Sequence, residues 1–272
     1  MAQTVIGAAS KPGTVRPLGG FMNEVDTMCN TRKERLAVRG LTREFGPGVG
    51  VFGVDLTISE GQIHALVGLN GAGKTTLMRL ILTMLRPSAG TVNISGRNVA
   101  TLPNERWRSV GQLIEQPFLY PELDVSTNLR LAAMLRCVPS ELVSSTVDSI
   151  IDELDLVRYR SVKARRLSQG NRQRVGIAAA LQHAPELLIL DEPTNALDPA
   201  GVILLREALR RRASQGAGVL VSSHHLDEVA RIAHRISVIN HGRLIGTISP
   251  QGTDIERQFF SMVHGDDERS HR

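Results

Sequence analysis

The sequence predicts an α/β protein in which a helical segment is inserted into a core built around a parallel sheet. Two observations favour this class. Short apolar runs ("LLIL", "GVLVS" and "RISVI") alternate with helical patterns toward the C-terminal end, which is typical of parallel strands buried between helices. Residues from about 126 to 184 carry mainly helical patterns, so they divide the strand-forming parts of the core.

The first 34 residues differ in composition from the rest of the chain. They are rich in Gly, Pro, Ala and Ser and lack helical or strand periodicity, so we expect a disordered extension over residues 1–34. A start codon assigned too early is the alternative, because Met22 and Met28 follow. From Leu36 onward, "LAVRGL" and "VFGVDLTI" alternate apolar and polar residues as half-buried strands do.

Composition limits the class of protein. The 272 residues are 42% hydrophobic but only 3% aromatic, so the core rests on Leu, Ile, Val and Ala. Two cysteines, Cys29 and Cys137, form neither a disulfide framework nor a metal-ligand pattern, which suits a reducing cytoplasm. Apolar runs fall short of the roughly 18 to 20 residues that cross a bilayer, so any membrane attachment is expected to come from a partner.

The net charge of +5 raises the question of a nucleic-acid partner. The basic residues are scattered, aromatic residues for base stacking are few, and no nucleic-acid-binding motif is present. We therefore predict no nucleic-acid partner. A solvated surface, or one that faces anionic lipid, accounts for the charge.

A glycine-rich turn between an apolar strand and a helix carries the first chemical signal. "GLNGAGKTT" follows "IHALV" and opens a helix expected from Lys74 to about Leu85. Its glycines allow backbone N–H groups to surround phosphate oxygens, Lys74 can reach the β- and γ-phosphates, and Thr75 can offer its hydroxyl to Mg²⁺. The predicted nucleotide-binding residues of this loop are Gly68, Leu69, Asn70, Gly71, Ala72, Gly73, Lys74, Thr75 and Thr76.

Two carboxylates stand at the end of a later buried strand, in "LLILDEP". Asp191 is a candidate Mg²⁺ ligand. Glu192 is expected to point elsewhere, because successive strand residues face opposite sides, and it can act as general base toward water. A pair of solvent-facing acids is the alternative, which the upstream phosphate-binding loop disfavours.

The order of the loop, "LSQGN", "LILDEP", "NALDP" and "SSHHLDE" resembles the ATP-binding subunit of ABC transporters over residues 36–246. The resemblance implies ATP and Mg²⁺ as cofactors and a P-loop core with an N-terminal antiparallel β subdomain. It places the ATPase domain at residues 35–248, an inserted helical subdomain at about 116–184, and a short C-terminal tail at 249–272.

The "LSQGN" stretch resembles the signature segment of this family, which binds the ATP held in the P-loop of a second subunit. The resemblance thus implies an ATP-dependent homodimer that contributes Ser168, Gln169, Gly170 and Asn171 across its interface. Ser168 and Gly170 stand at a helix N-terminus, where an anion is favoured. Gln169 and Asn171 depart from the ideal L-S-G-G-Q pattern.

Four further residues follow from the same resemblance. Family spacing places a Mg²⁺-contacting residue at Glu115, with Gln116 as the alternative if the loop is shifted by one position. His224 matches the histidine that links the general base and the γ-phosphate, so Lys74, Glu192 and His224 form the predicted catalytic set. Asp198 matches the loop that communicates across the dimer. Phe45 matches the aromatic residue that stacks on adenine; a core phenylalanine is the alternative.

The resemblance also implies where the protein works. It predicts a bacterial ATPase bound peripherally to the cytoplasmic face of the membrane, which powers export through a separate transmembrane permease. Details of the motifs resemble the bacitracin and lantibiotic-immunity exporters, so a peptide antibiotic or other small molecule is the expected cargo. A soluble ABC ATPase that acts on ribosomes or DNA is the alternative; the single set of motifs and the absence of a heptad run disfavour it.

Overall fold

Two β-sheets organise the part of the chain described by the structure, a computed structural model that covers residues 1–2, 33–252 and 254–270, without the side chain of Ser270. The disordered extension predicted over residues 1–34 lies outside the described residues except at its two ends. The strands, in chain order, are β1 (Glu34–Gly46), β2 (Val49–Ser59), β3 (Ile63–Val67), β4 (Ala89–Ile94), β5 (Arg97–Asn98), β6 (Val110–Leu113), β7 (Leu187–Leu190), β8 (Gly218–Ser223), β9 (Arg235–Asn240) and β10 (Arg243–Ile248).

Seven α-helices accompany these strands in the described ranges. They are α1 (Lys74–Ile81), α2 (Val125–Leu135), α3 (Ser140–Glu153), α4 (Gln169–Leu181), α5 (Pro199–Ser214), α6 (Leu226–Ala230) and α7 (Ile255–Ser270). None of the described helices combines the length and apolar character that crossing a membrane requires.

The smaller sheet is antiparallel and has the strand order β2-β1-β4-β5. Leu36, Val38 and Leu41 of β1 are fully buried, and they share one apolar cluster with Leu77 and Met78 of α1. The antiparallel β subdomain that the family resemblance implies is therefore present, and its core is continuous with the helix that follows the P-loop.

The larger sheet has the order β10-β9-β3-β8-β7-β6, with parallel pairing from β9 to β6 and antiparallel pairing of β10. Every residue of β3, β7 and β8 is buried, as the apolar runs predict. Because parallel strands end at the same edge, the segments after β3, β7 and β8 converge there. This edge brings the P-loop, the two acids and His224 together.

The inserted helical segment consists of α2, α3 and α4, within the range 116–184 expected for it. Asp124 caps α2, since its Oδ1 accepts a hydrogen bond from the Thr127 backbone N–H at 2.7 Å. Buried Leu129 and Ile151 belong to the cluster that also contains Val175 of α4. This packing fixes the N-terminus of α4, and hence the signature segment, relative to the core.

Two segments differ from their sequence predictions. Helix α1 ends at Ile81 instead of near Leu85, because Thr83 adopts a left-handed conformation with φ of 58°. The tail expected over residues 249–272 contains a 16-residue helix, α7. Phe259 and Val263 are each only 5% exposed and anchor α7 on the larger sheet's apolar cluster.

Candidate functional site

The P-loop wraps from the end of β3 into the first turn of α1. Gly71 and Gly73 have φ of 83° and 106°, values that residues with a Cβ rarely adopt. Gly73 occupies the N-cap position of α1 and no side chain caps the helix there. The N–H groups that open α1 are thus directed to the loop without a capping acceptor, an arrangement that fits a phosphate group.

The remaining loop residues divide into a buried base and an exposed rim. Gly68 and Ala72 are buried, whereas Leu69, Asn70 and Gly71 are exposed. A Cβ on Gly68 would lie 2.4 Å from the Ile239 carbonyl oxygen, so only glycine permits this close approach to β9. Thr76 is half-buried in the first turn of α1. Backbone packing therefore fixes the base of the loop, while its rim faces solvent.

Lys74 supplies the cation of the site. Its side chain is only 6% exposed, and Nζ donates to the carbonyl oxygens of Gly68 at 2.7 Å and Leu69 at 3.3 Å. Nζ also lies 3.2 Å from Oε1 of Glu192. These contacts hold the ammonium group between the phosphate loop and the predicted general base.

Asp191 lies directly beyond β7 and is 2% exposed. Its Oδ2 accepts a hydrogen bond from Thr75 Oγ1 at 2.7 Å, and its Oδ1 accepts one from Ser222 Oγ at 2.6 Å. A hydroxyl and a carboxylate are the oxygen donors that suit Mg²⁺. Among the described residues there is no group of three or more His, Cys, Asp or Glu placed to hold a metal, so phosphate and water would have to complete the shell.

Glu192 is directed away from Asp191 by a backbone turn. Strand β7 ends at Leu190, and Glu192 has a left-handed φ of 46°. The two carboxylates do face different partners, as predicted. The predicted reason, strand alternation, is wrong, because both acids lie beyond the end of β7. Oε2 of Glu192 lies 2.8 Å from Nδ1 of His224. Lys74, Glu192 and His224, the predicted catalytic set, thus form one connected group.

Ser222 is a site residue that the sequence prediction missed. It is fully buried at the end of β8 and bonds both acids: Oγ donates to Asp191 and accepts from the Glu192 backbone N–H at 2.8 Å. The available signal was the pair of serines that ends an otherwise apolar strand, because a buried hydroxyl requires a polar partner.

Glu115 contacts the side of α1 and does not join the hydrogen bond between Thr75 and Asp191. Its backbone is left-handed, with φ of 58°, and Oε1 forms an ion pair with Arg79 at 2.5 Å. Arg79 stands one helical turn after Thr75, so Glu115 approaches the face of α1 that carries Thr75 through this pair. Gln116, the alternative, lines a groove of about 650 Å³ next to the helical segment, and Glu115 lines the same groove.

The signature segment forms a second helix N-terminus. Ser168 is the N-cap of α4, and its Oγ accepts from the Asn171 backbone N–H at 3.3 Å. Gln169 is exposed, and a Cβ on Gly170 would lie 2.4 Å from the Ala196 carbonyl oxygen. No hydrogen bond in the described part of the chain joins these residues to the P-loop. The N-termini of α1 and α4 are therefore not joined by hydrogen bonds within the described part of one chain.

Two further predicted residues, Asp198 and Phe45, lie outside the P-loop and the group formed by Lys74, Glu192 and His224. Asp198 caps α5: its Oδ1 accepts from the Gly201 backbone N–H at 2.8 Å and from Arg174 at 3.2 Å. Phe45 is 52% exposed, with the Arg43 guanidinium 5.4 Å from its ring centroid. The alternative that Phe45 is a core residue is therefore wrong, and its ring is accessible for stacking.

Known proteins of one family share this sequence pattern. The sequence profile of the ABC transporter family matches residues 51–195, more than half of the chain. The chain belongs to the ABC transporter family. This confirms the resemblance inferred from the ordered motifs, and this ABC transporter protein is an ATP-hydrolysing motor subunit.

Individual relatives extend the match well beyond the profile. The bacitracin transport ATP-binding protein BcrA of Enterococcus faecalis is 36% identical over 215 residues, which cover 79% of this chain and 69% of the relative. The lantibiotic transport ATP-binding protein SrtF of Streptococcus pyogenes is 32% identical over 226 residues, covering 83% of this chain and 96% of the relative.

The fold matches solved ABC structures as well. An ATP-binding subunit of an ABC transporter superimposes with a TM-score of 0.74 at 30% identity, covering 84% of this chain and 94% of the solved one. The α/β fold class, with its P-loop core, antiparallel β subdomain and inserted helices, is confirmed for this ABC ATPase.

Proposed function

We propose that this ABC subunit powers a bacterial exporter of a peptide antibiotic or another small molecule. Two relatives with transport names of this kind, for bacitracin and for a lantibiotic, are 36% and 32% identical to the chain. The observation that carries the motor role is the connected group of Lys74, Glu192 and His224 beside an uncapped helix N-terminus.

The residues of this group divide the chemistry between them. Lys74 and the first N–H groups of α1 bind the β- and γ-phosphates, where negative charge grows during transfer. Glu192 accepts a proton from the attacking water, and His224 holds its carboxylate through the 2.8 Å contact with Oε2. Ser222 fixes the backbone from which Glu192 extends.

Thr75 and Asp191 are the proposed residues that hold Mg²⁺. Their hydroxyl and carboxylate oxygens lie 2.7 Å apart and both suit a hard divalent cation. When bound, the ion would neutralise charge on the phosphate oxygens. Glu115 is the proposed third contributor, since its pair with Arg79 keeps it beside α1.

The assignment of Glu115 rather than Gln116 is testable by metal dependence. We expect Glu115→Gln to raise the Mg²⁺ concentration needed for half-maximal hydrolysis several-fold, because a carboxylate binds the cation more strongly than an amide. Gln116→Glu is the matched comparison and should leave that concentration unchanged. The reverse pattern, with Gln116→Glu shifting the Mg²⁺ requirement and Glu115→Gln leaving it alone, would give the role to Gln116.

A composite site in a homodimer is proposed because no hydrogen bond joins the signature to the phosphate loop in the part of the chain that the structure describes. Ser168 and Gly170 present a helix N-terminus that has no hydrogen bond to Gly68–Thr76 among the described residues, and both termini favour an anion. Head-to-tail association of two copies would place one chain's signature on the other chain's ATP. Phe45 is the proposed adenine contact, and Asp198 the proposed contact at the dimer interface.

A separate transmembrane permease is the proposed second partner, with the ATPase held at the cytoplasmic face of the membrane. The groove of about 650 Å³ beside Gln116 is a suitable docking site, because Leu119 offers apolar surface and Arg165 and Arg172 offer charge. We expect Arg165→Glu to reduce co-purification with the permease. Lys163→Glu, on the same basic run but not lining the groove, is the control.

Protection of a host strain tests the export function. The chain would be co-expressed with a candidate permease from its own gene neighbourhood, and growth would be measured against bacitracin and a lantibiotic. Protection that is lost on Glu192→Gln supports export. If the pair assembles and hydrolyses ATP but protects against neither of these compounds, the antibiotic assignment is wrong while the motor role stands.

A further inference from the structure

The C-terminal helix α7 touches the nucleotide site through one short turn. Strand β9 ends at Asn240, and His241 and Gly242 connect it to β10. Phe259 and Val263 of α7 are buried against the sheet, and a Cβ on Gly246 would lie 2.0 Å from Cε of Met262. Helix α7 is thus packed closely on β10, the strand that follows this turn.

The turn itself is fitted tightly against the P-loop. The Gly242 backbone N–H donates to the Ala72 carbonyl oxygen at 2.9 Å, and the Gly242 carbonyl accepts from the Phe52 N–H at 2.9 Å. A Cβ on Gly73 would lie 3.2 Å from Cα of Gly242. These are contacts between backbone atoms, so a shift of the turn is transmitted to the loop without a flexible side chain to absorb it.

Two carboxylates near the end of α7 hold the turn from the other side. The Asn240 Nδ2 group donates to Asp267 Oδ1 at 2.7 Å and to Asp266 Oδ2 at 3.1 Å. Asn240 is 5% exposed, so these charge-assisted bonds satisfy a buried amide. His241 Nε2 lies 2.9 Å from the same Asp267 oxygen. Asp267 therefore contacts two consecutive residues of the turn.

We propose that Asp267 is a positioning residue for ATP binding, which acts through Asn240 and His241 to keep the Gly242 N–H on the Ala72 carbonyl. Helix α7 thereby sets how well the P-loop backbone is organised for phosphate before ATP arrives. The reacting atoms of hydrolysis are served by Glu192 and His224, which stand on the segments after β7 and β8. The proposal therefore predicts an effect on ATP affinity and not on the chemical step.

The experiment measures ATP binding by calorimetry without Mg²⁺ and steady-state hydrolysis with Mg²⁺, on the full chain. For Asp267→Ala we expect the Kd and KM for ATP to rise about 5- to 10-fold, the net effect of losing about one ordinary hydrogen bond, with kcat within about twofold of wild type. Asp267→Asn, which keeps one acceptor oxygen, should give an intermediate Kd. Glu268→Ala is the matched control, because Glu268 pairs with His264 within α7.

Hydrogen exchange distinguishes a local effect on the P-loop from destabilisation of the whole larger sheet. Asp267→Ala should speed amide exchange at Ala72–Lys74 and Asn240–Gly242 while strands β7 and β8 keep wild-type protection. A wild-type Kd in folded Asp267→Ala, a fall in kcat at constant KM, or exchange that rises equally across the sheet would overturn the proposal. If Asp267→Ala does not fold, Asp267→Asn carries the same test, and its wild-type Kd would overturn it. The inference rests on ATP binding by the P-loop; failure of the wild-type chain to bind ATP would instead contradict that assignment.

Discussion

The two helix N-termini that we propose to serve ATP differ in what surrounds them. The terminus of α1 is enclosed by its own chain, with Lys74 buried at 6% exposure and Asp191 at 2%. The terminus of α4 carries an exposed Gln169, and the hydroxyl of Ser168 accepts a hydrogen bond from Asn171 in its own first turn. The first has a lysine and two carboxylates beside it, Lys74, Asp191 and Glu192, whereas the second offers N–H groups and the Ser168 hydroxyl. This difference supports the proposal that the terminus of α4 serves the phosphate of another chain.

Removal of the P-loop cation should have the largest effect on ATP binding and hydrolysis. Lys74→Ala removes the charge held at Gly68 and beside Glu192, so ATP affinity should fall at least about 10- to 100-fold, and hydrolysis should disappear. Calorimetry and phosphate release measure the two losses. Lys163→Ala, at an exposed lysine outside the loop, should behave as wild type. Full activity in Lys74→Ala would remove the loop from the mechanism.

Loss of the general base should affect turnover alone. Glu192→Gln keeps the shape of the side chain but cannot accept a proton, so hydrolysis should fall by about 10²- to 10⁴-fold while ATP still binds. The variant should also accumulate as an ATP-dependent dimer in gel filtration, because the composite sites close and do not turn over. A monomeric variant with normal hydrolysis would show that another residue activates water.

Obstruction of the signature should spare ATP binding. Ser168→Arg places a bulky cation at the exposed end of α4, so each chain should bind ATP with near-normal affinity, yet hydrolysis should fall steeply. The lost N-cap should cost about 1 kcal/mol of stability, which a melting curve can measure. Ser140→Arg, at the exposed start of α3, is the matched control. An equal loss of ATP affinity in Ser168→Arg would mean that the signature belongs to its own chain's site.

A smaller effect is expected from a single methyl group in the signature. Gly170→Ala places a Cβ 2.4 Å from the Ala196 carbonyl oxygen, so the segment between Pro193 and Asp198 or the start of α4 must shift. Hydrolysis should fall several-fold, since both segments are proposed to lie at the dimer interface, with ATP affinity unchanged. Unaltered hydrolysis would show that this close approach has no role in closure.

The sequence predicts most of the nucleotide site because its parts are local. The loop Gly68–Thr76 is one continuous segment, and Asp191, Glu192 and His224 directly follow apolar strands that parallel pairing aligns at one edge. The strand runs and the glycine positions thus determine the placement of these groups without knowledge of distant contacts. The same reasoning predicts Ser168 at the start of α4.

Contacts between distant segments are what the sequence does not predict. The pair of Glu115 with Arg79 joins a loop to α1, and the bonds of Ser222 to both acids join β8 to the turn after β7. The sequence predicts only a tail where α7 forms, because the apolar positions of this segment are few. The stability of the helix comes from packing on β10. No local pattern encodes these partners.

Mixing two inactive variants tests the account of separate half-sites most directly. A Lys74→Ala chain retains an intact signature, and a Ser168→Arg chain retains an intact P-loop. Each heterodimer contains one complete composite site out of two, and random pairing at equal concentrations makes half of the dimers mixed. Hydrolysis should therefore reappear on mixing, at about a quarter of the wild-type rate per chain. Each variant alone should stay inactive at the same total concentration. If both variants are folded and form mixed dimers but mixing restores no hydrolysis, the proposal that α4 serves the ATP of another chain is contradicted.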